Sequence, residues 1–245
     1  MIKLITLITK FIVATLMALL FSSCGHAISF NEIKGSGNIV TETRNANHDF
    51  KSIEVSRGIK VIVTQSDNKS ITVEADDNLQ QHIITKIENG VLIVESDESY
   101  NATETPVVNV KMPIINGLSA SSGSEITSTG VLITENVNVK SSSGSQVNIN
   151  VEADVIKAES SSGSHIGVTG KALKLETSCS SGSEIEAKNL MANEVIAEAE
   201  SGSSTSVYPI VQLKAEASSG SSISYHKIPK TISKEENSGG SVEQQ

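Results

Sequence analysis

The sequence predicts an all-β chain wound as a parallel β-helix (β-solenoid) with coils of about 20 residues. Three observations carry this. Glycine recurs inside one short phrase at a near-constant interval, small and β-branched residues hold fixed offsets from it, and aromatics are only 3% with no Trp. The core must therefore be Ile, Val, Leu and Ala, and β-branched side chains pack well on a pleated surface.

The phrase reads "SSSGSQVNI" from Ser141, "SSSGSHIGV" from Ser160 and "CSSGSEIEA" from Cys179. Its glycines, Gly123, Gly144, Gly163, Gly182, Gly202 and Gly220, are spaced by 21, 19, 19, 20 and 18 residues. Serine stands directly before and directly after each one. Three residues earlier the residue is small: Ala120, Ser141, Ser160, Cys179, Ala199 and Ala217. Three residues later come Ile126, Val147, Ile166, Ile185, Thr205 and Ile223. A flexible Gly/Ser linker has no such spacing rule, whereas a coil that cannot bury itself alone must repeat.

Alternation assigns faces, because successive strand side chains point to opposite sides. In the third coil Ile156, Ala158, Ser160, Ser162, Ser164, Ile166 and Val168 form the inward set, and Lys157, Glu159 and His165 point out. Gly163 and its equivalents are then structural corners, where glycine permits a backbone angle that other residues avoid. Stacking at ~4.8 Å sets each serine over its equivalent, so the hydroxyls are expected to form a ladder along the column.

Residues 35–112 read as the N-terminal portion of the same solenoid. "FKSIEV" (50–55), "GIKVIVTQ" (58–65), "SITVEA" (70–75), "GVLIVES" (90–96) and "PVVNVKM" (106–112) alternate with strand period. The stretch 77–90 fits either a helical turn, with Leu79, Ile83 and Ile87 at spacing four, or a further strand before a Gly turn. Residues 96–106 read as a polar loop and 113–228 as the repeat coils. A polar tail, 229–245, echoes the corner as Ser-Gly-Gly-Ser at 238–241, and either frays or closes the end against edge pairing.

Residues 1–23 read as a signal peptide: Lys3 and Lys10, the apolar run Phe11–Phe21, then Ser22 and Ser23 before Cys24. A cysteine after two small residues resembles a bacterial lipobox, although Phe21 stands where Leu is usual. Cys24 is thus the expected lipidation site, 24–34 a tether, and the membrane a partner through that lipid. The expected location is the cell envelope, as an outer-membrane lipoprotein facing either the periplasm or the surface. With Cys24 acylated, Cys179 has no disulfide partner and reads as a buried space-filler.

The chemistry is mostly exclusion. A formal charge of −9 with no basic stripe argues against nucleic acid. "GSHIG" at 163–167 places His where a nucleophile elbow needs Ser. The corners offer hydroxyls where calcium-binding repeats need Asp, and His26, His48, His82, His165 and His226 lack ligand spacing. No catalytic residue, metal or cofactor is expected. Acidic pairs near Asp76 and Asp97 leave a β-helical polysaccharide lyase or hydrolase as the alternative, although the chain's only arginines are Arg44 and Arg57.

"VSRGIKVIVTQSDNKSITVEADDNL" (55–79), "IENGVLIV" (87–94) and the SSGS coils ending in "SGGSV" (238–242) resemble the head-GIN-domain family of auto-transporter adhesins. The resemblance spans residues 35–242. The naming Gly-Ile-Asn triad stands here as Gly58-Ile59-Lys60, at what reads as a strand start. The resemblance implies a right-handed parallel β-helix and an adhesion or surface-binding role, and it brings no catalytic residues. The expected function is a non-catalytic envelope module that binds a glycan or an envelope or surface protein; a structural envelope component is a second alternative.

Overall fold

In the structure, a computed structural model, residues 32–46 and 48–245 are described; the expected signal peptide and Cys24 lie outside them. Strands β1 (Ile33–Lys34), β2 (Ile39–Arg44), β3 (Ser52–Val55), β4 (Lys60–Gln65) and β5 (Ser70–Asp76) come first. A 3₁₀ turn over Gln80–His82 leads into β6 (Ile83–Glu88) and β7 (Val91–Ser96), then β8 (Tyr100–Asn101), β9 (Val107–Met112) and β10 (Gly117–Ala120). Five long strands follow: β11 (Glu125–Ser141), β12 (Gln146–Ser160), β13 (His165–Cys179), β14 (Glu184–Ala199) and β15 (Ser204–Ala217). β16 (Ser222–Tyr225), β17 (Thr231–Glu236) and β18 (Ser241–Gln244) end the chain.

Each long strand pairs in parallel with the equivalent strand of the next coil, which is the stacking of a β-solenoid. One arm, before the corner, runs β7–β3–β10 and on through the C-terminal halves of β11–β15 to β17. The other, after the corner, runs β9–β4 and on through the N-terminal halves to β16 and β18. At the N-terminal end the pairing turns antiparallel: β6 on β7, β5 on β9, and β2 on β5. Residues 77–90 divide between the alternatives. The 3₁₀ turn buries Leu79, and the rest is β6, joined to β7 through Asn89 and Gly90, both at positive φ, the arrangement an Asn-Gly hairpin favours.

The corner is a two-residue left-handed turn. Ser162 and Gly163 have φ of 56° and 69°, and the equivalent pair in the next coil is closed by Ser183 N–H donating to Ser180 O at 3.3 Å. Positive φ at both central residues is the type I′ signature. The turn corrects one inward assignment. Alternation ends at the turn, so Ser162 and its equivalents are exposed while Ser160 and Ser164 remain buried. Glycine amides link neighbouring corners, Gly163 N–H donating to Ser181 O at 3.1 Å. The same pair occurs earlier as Arg57–Gly58, so the expected strand start is a corner, and later as Ser238–Gly239.

The corner serine hydroxyls do not bond to one another along the column; among the described residues the one such rung lies just outside it, Ser222 Oγ donating to Ser204 Oγ at 3.5 Å. Ser164 Oγ donates to Ser141 O of the preceding coil at 2.7 Å and accepts from Ser161 N–H at 3.1 Å. Ser145, Ser183, Ser203 and Ser221 repeat the donation to Ala120, Ser160, Cys179 and Ala199 at 2.7–2.8 Å. Parallel-strand carbonyls point along the stack, so a backbone oxygen comes within reach before the next hydroxyl. Hydroxyl pairs occur within a coil instead, as Ser160 Oγ with Ser164 Oγ at 2.9 Å. Each such bond adds about 1 kcal/mol.

The core is a set of columns, one of them Ile126, Val147, Ile166, Ile185, Thr205, Ile223 and Val242. Thr205 interrupts it with a buried hydroxyl that has no hydrogen-bond partner among the described residues. The last stretch forms β17 and β18 around the Ser238–Gly239 corner. In β17, Lys234 and Glu236 take register positions held by Ala215 and Ala217 one coil earlier. Lys234 Nζ donates to Val242 O at 2.8 Å and lies over the Tyr225 ring, while Glu236 accepts from Val242 N–H at 2.7 Å. Two side chains thereby occupy backbone groups of β18 that would otherwise template another strand.

Candidate binding surface

The arm before the corner carries an ionic ladder on its outer face. Lys140 meets Glu159 at 2.8 Å, Lys157 meets Glu176 at 2.9 Å, and Lys174 meets the same carboxylate at 2.6 Å. Hydrogen bonds from Lys174 and then Lys157 hold the Glu176 carboxyl below the ordinary range. These charges are largely spent on one another across neighbouring rungs.

The arm after the corner differs. Beyond Lys60–Glu125 at 3.0 Å, His165–Glu184 at 3.4 Å and Lys188–Glu186 at 2.5 Å, its outer rows turn to amides, hydroxyls and glycines. A trough of about 440 Å³ opens there, lined by Ser128, Asn148, Asn150, Thr169, Glu186 and Asn189. The register explains its shape. Gly167 lies between Asn148 and Glu186, and Thr169 between Asn150 and Asn189, so coil three supplies the floor and its neighbours the walls. A Cβ at Gly167 would collide with Asn148 Oδ1; at Gly170 it would run into Val151 O and come 3.0 Å from Asn150 Oδ1. One wall, and the coil behind the other, are irregular. β11 carries extra residues between Thr127 and Val131, and β14 carries one extra residue opposite the step from Gly167 to Thr169. Bulges re-aim side chains and concentrate at functional sites.

A second trough of about 450 Å³, at the bend between the arms, is bordered by the exposed Ile133, Leu173 and Met191 and crossed by Lys171–Glu152 at 3.3 Å.

The residues singled out from the sequence fall elsewhere. A Cβ on Gly123, Gly144, Gly163, Gly182, Gly202 or Gly220 meets open space, so their role is conformational. Cys179 is buried, 3.2 Å from Ser183 Oγ. Asp76 is buried and accepts from Gly37 N–H at 2.7 Å and Thr103 N–H at 2.9 Å. Asp97 meets His82 Nδ1 at 2.9 Å, and the other ring nitrogen meets Gln81 Nε2 at 3.2 Å rather than a hydroxyl. The two acidic loops are thus spent on local structure. Among the described residues no group of three or more His, Cys, Asp or Glu side chains is placed to hold a metal ion, and no helix is long and apolar enough to cross a membrane. Sequence reasoning missed the trough. Its signal was Gly167 and Gly170, two glycines outside the corner column with Asn148 and Asn150 one coil earlier.

The fold recurs in solved structures. A "putative adhesin" from Bacteroides fragilis NCTC 9343 superposes with a TM-score of 0.80 at 20% identity, covering 87% of this chain and 100% of that one. A "putative adhesin" from Parabacteroides merdae ATCC 43184 gives 0.70 at 20% identity, over 87% and 99% of the two chains. A "putative lipid binding protein" from Parabacteroides distasonis ATCC 8503 gives 0.71 at 18% identity, again over 87% and 99%. No curated protein matches the sequence significantly. Residues 49–229 match the family model described as "Putative auto-transporter adhesin, head GIN domain". With most of its length inside that match, the chain belongs to the head GIN domain family.

Proposed function

We propose that this protein is a non-catalytic adhesion module of the cell envelope, tethered by an acyl-modified Cys24. The observation that carries the reading is the register of the five long strands. Their outer side chains repeat rung upon rung on a scaffold whose corner hydroxyls and backbone amides hold the coils together. A rigid surface of this kind suits binding through several weak sites at once, where linkage multiplies affinity without new contacts. Membership of an adhesin family supports the same reading, and the ligand is a glycan or another envelope or surface protein.

The anchor follows from the sequence around Cys24, "LLFSSCGH". Stable attachment takes more than one acyl chain, which a diacylated N-terminal cysteine supplies, and it places the protein in the envelope as an outer-membrane lipoprotein. Cells producing the full chain or Cys24→Ser, fed radiolabelled palmitate and fractionated, test this. The wild-type chain should carry label, sediment with membranes and promote adherence to a surface bearing envelope extract, whereas Cys24→Ser should be unlabelled, released and non-adherent. Equal label and adherence in both would overturn the proposal.

A further inference from the structure

We propose that the trough over Gly167 and Thr169 is a saccharide site that takes a neutral sugar residue of a glycan. This rests on the adhesion reading and names the ligand class for it. Asn148, Asn150 and Asn189 make no side-chain hydrogen bond to any of the described residues, although the amides and hydroxyls of the corners and the N-terminal closure are engaged. Three unspent carboxamides around one floor offer paired donors and acceptors, which is what a ring of hydroxyls, each both donor and acceptor, can use.

The dimensions agree. The walls stand two coils apart, about 10 Å at the spacing of adjacent strands, and Asn148 and Asn150 are two residues apart on β12, about 7 Å. A pyranose ring fits on that floor with a carboxamide at each edge. Gly167 keeps the space clear, since a side chain there would displace Asn148, and Gly170 lets the chain pass against the Val151 carbonyl of the preceding coil beside Asn150.

Charge and backbone narrow the class further. Glu186 is the one acid lining the trough, and its carboxyl is held low by a hydrogen bond from Lys188, so a polyanion finds no cationic clamp. A peptide adding as a strand needs a free edge, but the backbone of β13 is paired on both sides, with β12 and with β14. What is left for a ligand is side-chain amide and hydroxyl.

The test is calorimetric titration of the detergent-solubilised full chain with lactose, maltose, mannobiose and N,N′-diacetylchitobiose. At least one should bind saturably, and the Asn148→Ala/Asn150→Ala double variant should weaken it by about tenfold or more, the loss of one or two hydrogen bonds. Because these carboxamides hold nothing in the protein, the double variant should melt with the wild type, while Lys140→Ala on the ionic arm should bind normally. No binding by any of the four sugars, or undiminished binding by the double variant, overturns the site. Adherence separates this from the adhesion reading. Cells that adhere equally with the double variant refute the trough and leave adhesion standing; sugar binding lost in that variant, in a protein that confers no adherence, does the reverse.

Discussion

At the corner, the fold depends on a pair of residues in the left-handed region, and only one of them is glycine. Ser162 adopts φ of 56° and Gly163 of 69°. With no atom within 4 Å of a Cβ built on Gly163, the cost of a side chain there is backbone strain alone. Gly163→Ala should therefore cost about 1–2 kcal/mol and lower the melting temperature by roughly 2–4 °C per kcal/mol. Gly163→Asn should cost visibly less, since Asn visits this region more readily. Thermal denaturation followed by circular dichroism reads both, and equal melting of all three proteins would contradict the account. The column of small residues was legible because its spacing is a property of the chain itself. Two details were not. Alternation placed Ser162 inside because strand parity says nothing of a turn that breaks it, and the hydroxyl of Ser164 finds a carbonyl 23 residues away, which depends on how the coils stack.

Among the elements, the N-terminal closure carries a pH dependence. Asp76 joins β5 to Gly37 and Thr103, and Asp77 accepts from Ser36 and Asn38. The Thr103 amide, set against the opposing effect of burial and aided by Gly37, holds the Asp76 carboxyl below its ordinary value of 3.8; hydrogen bonds from Ser36 and then Asn38 do the same for Asp77. A carboxyl depressed by folding stabilises the fold above its unfolded value, and the contribution fades as pH falls through the folded one. The protection factors of the Gly37 and Thr103 amides, measured against the intrinsic rate at each pH, should therefore fall as pH drops from about 5 to about 3. Asp76→Asn should show the reduced protection already at the higher pH. Exchange in the variant matching the wild type throughout would refute this role for Asp76. From sequence these acids read as surface carboxylates available for chemistry, because the partners of Asp76 lie 39 and 27 residues away in segments without a motif. The strands themselves were legible from alternation, and the 3₁₀ turn at Gln80–His82 was one of two readings because Leu79, Ile83 and Ile87 fit both periods.

At the level of the whole molecule, a solenoid spends much of its sequence on stacking, and the proposed saccharide site sits where the repeat is broken. The repeat announced the architecture through six glycines. The trough went unseen because it exists only between coils: Gly167 gains meaning when Asn148 lies on one side of it and Glu186 on the other. The same logic governs the ends. Lys234 and Glu236 occupy the Val242 carbonyl and amide of β18, which blocks that edge against a further strand. An end closed in this way leaves the long outer faces as the surface for partners, and the central claim is that they bind without transforming what they bind. The measurement that tests it most directly is an array of glycans and envelope components probed with the full chain, with the soluble phase assayed in parallel for polysaccharide cleavage. The account predicts saturable binding with no product. Release of reducing ends or of unsaturated sugars would contradict it and return attention to the acidic loops at Asp76 and Asp97.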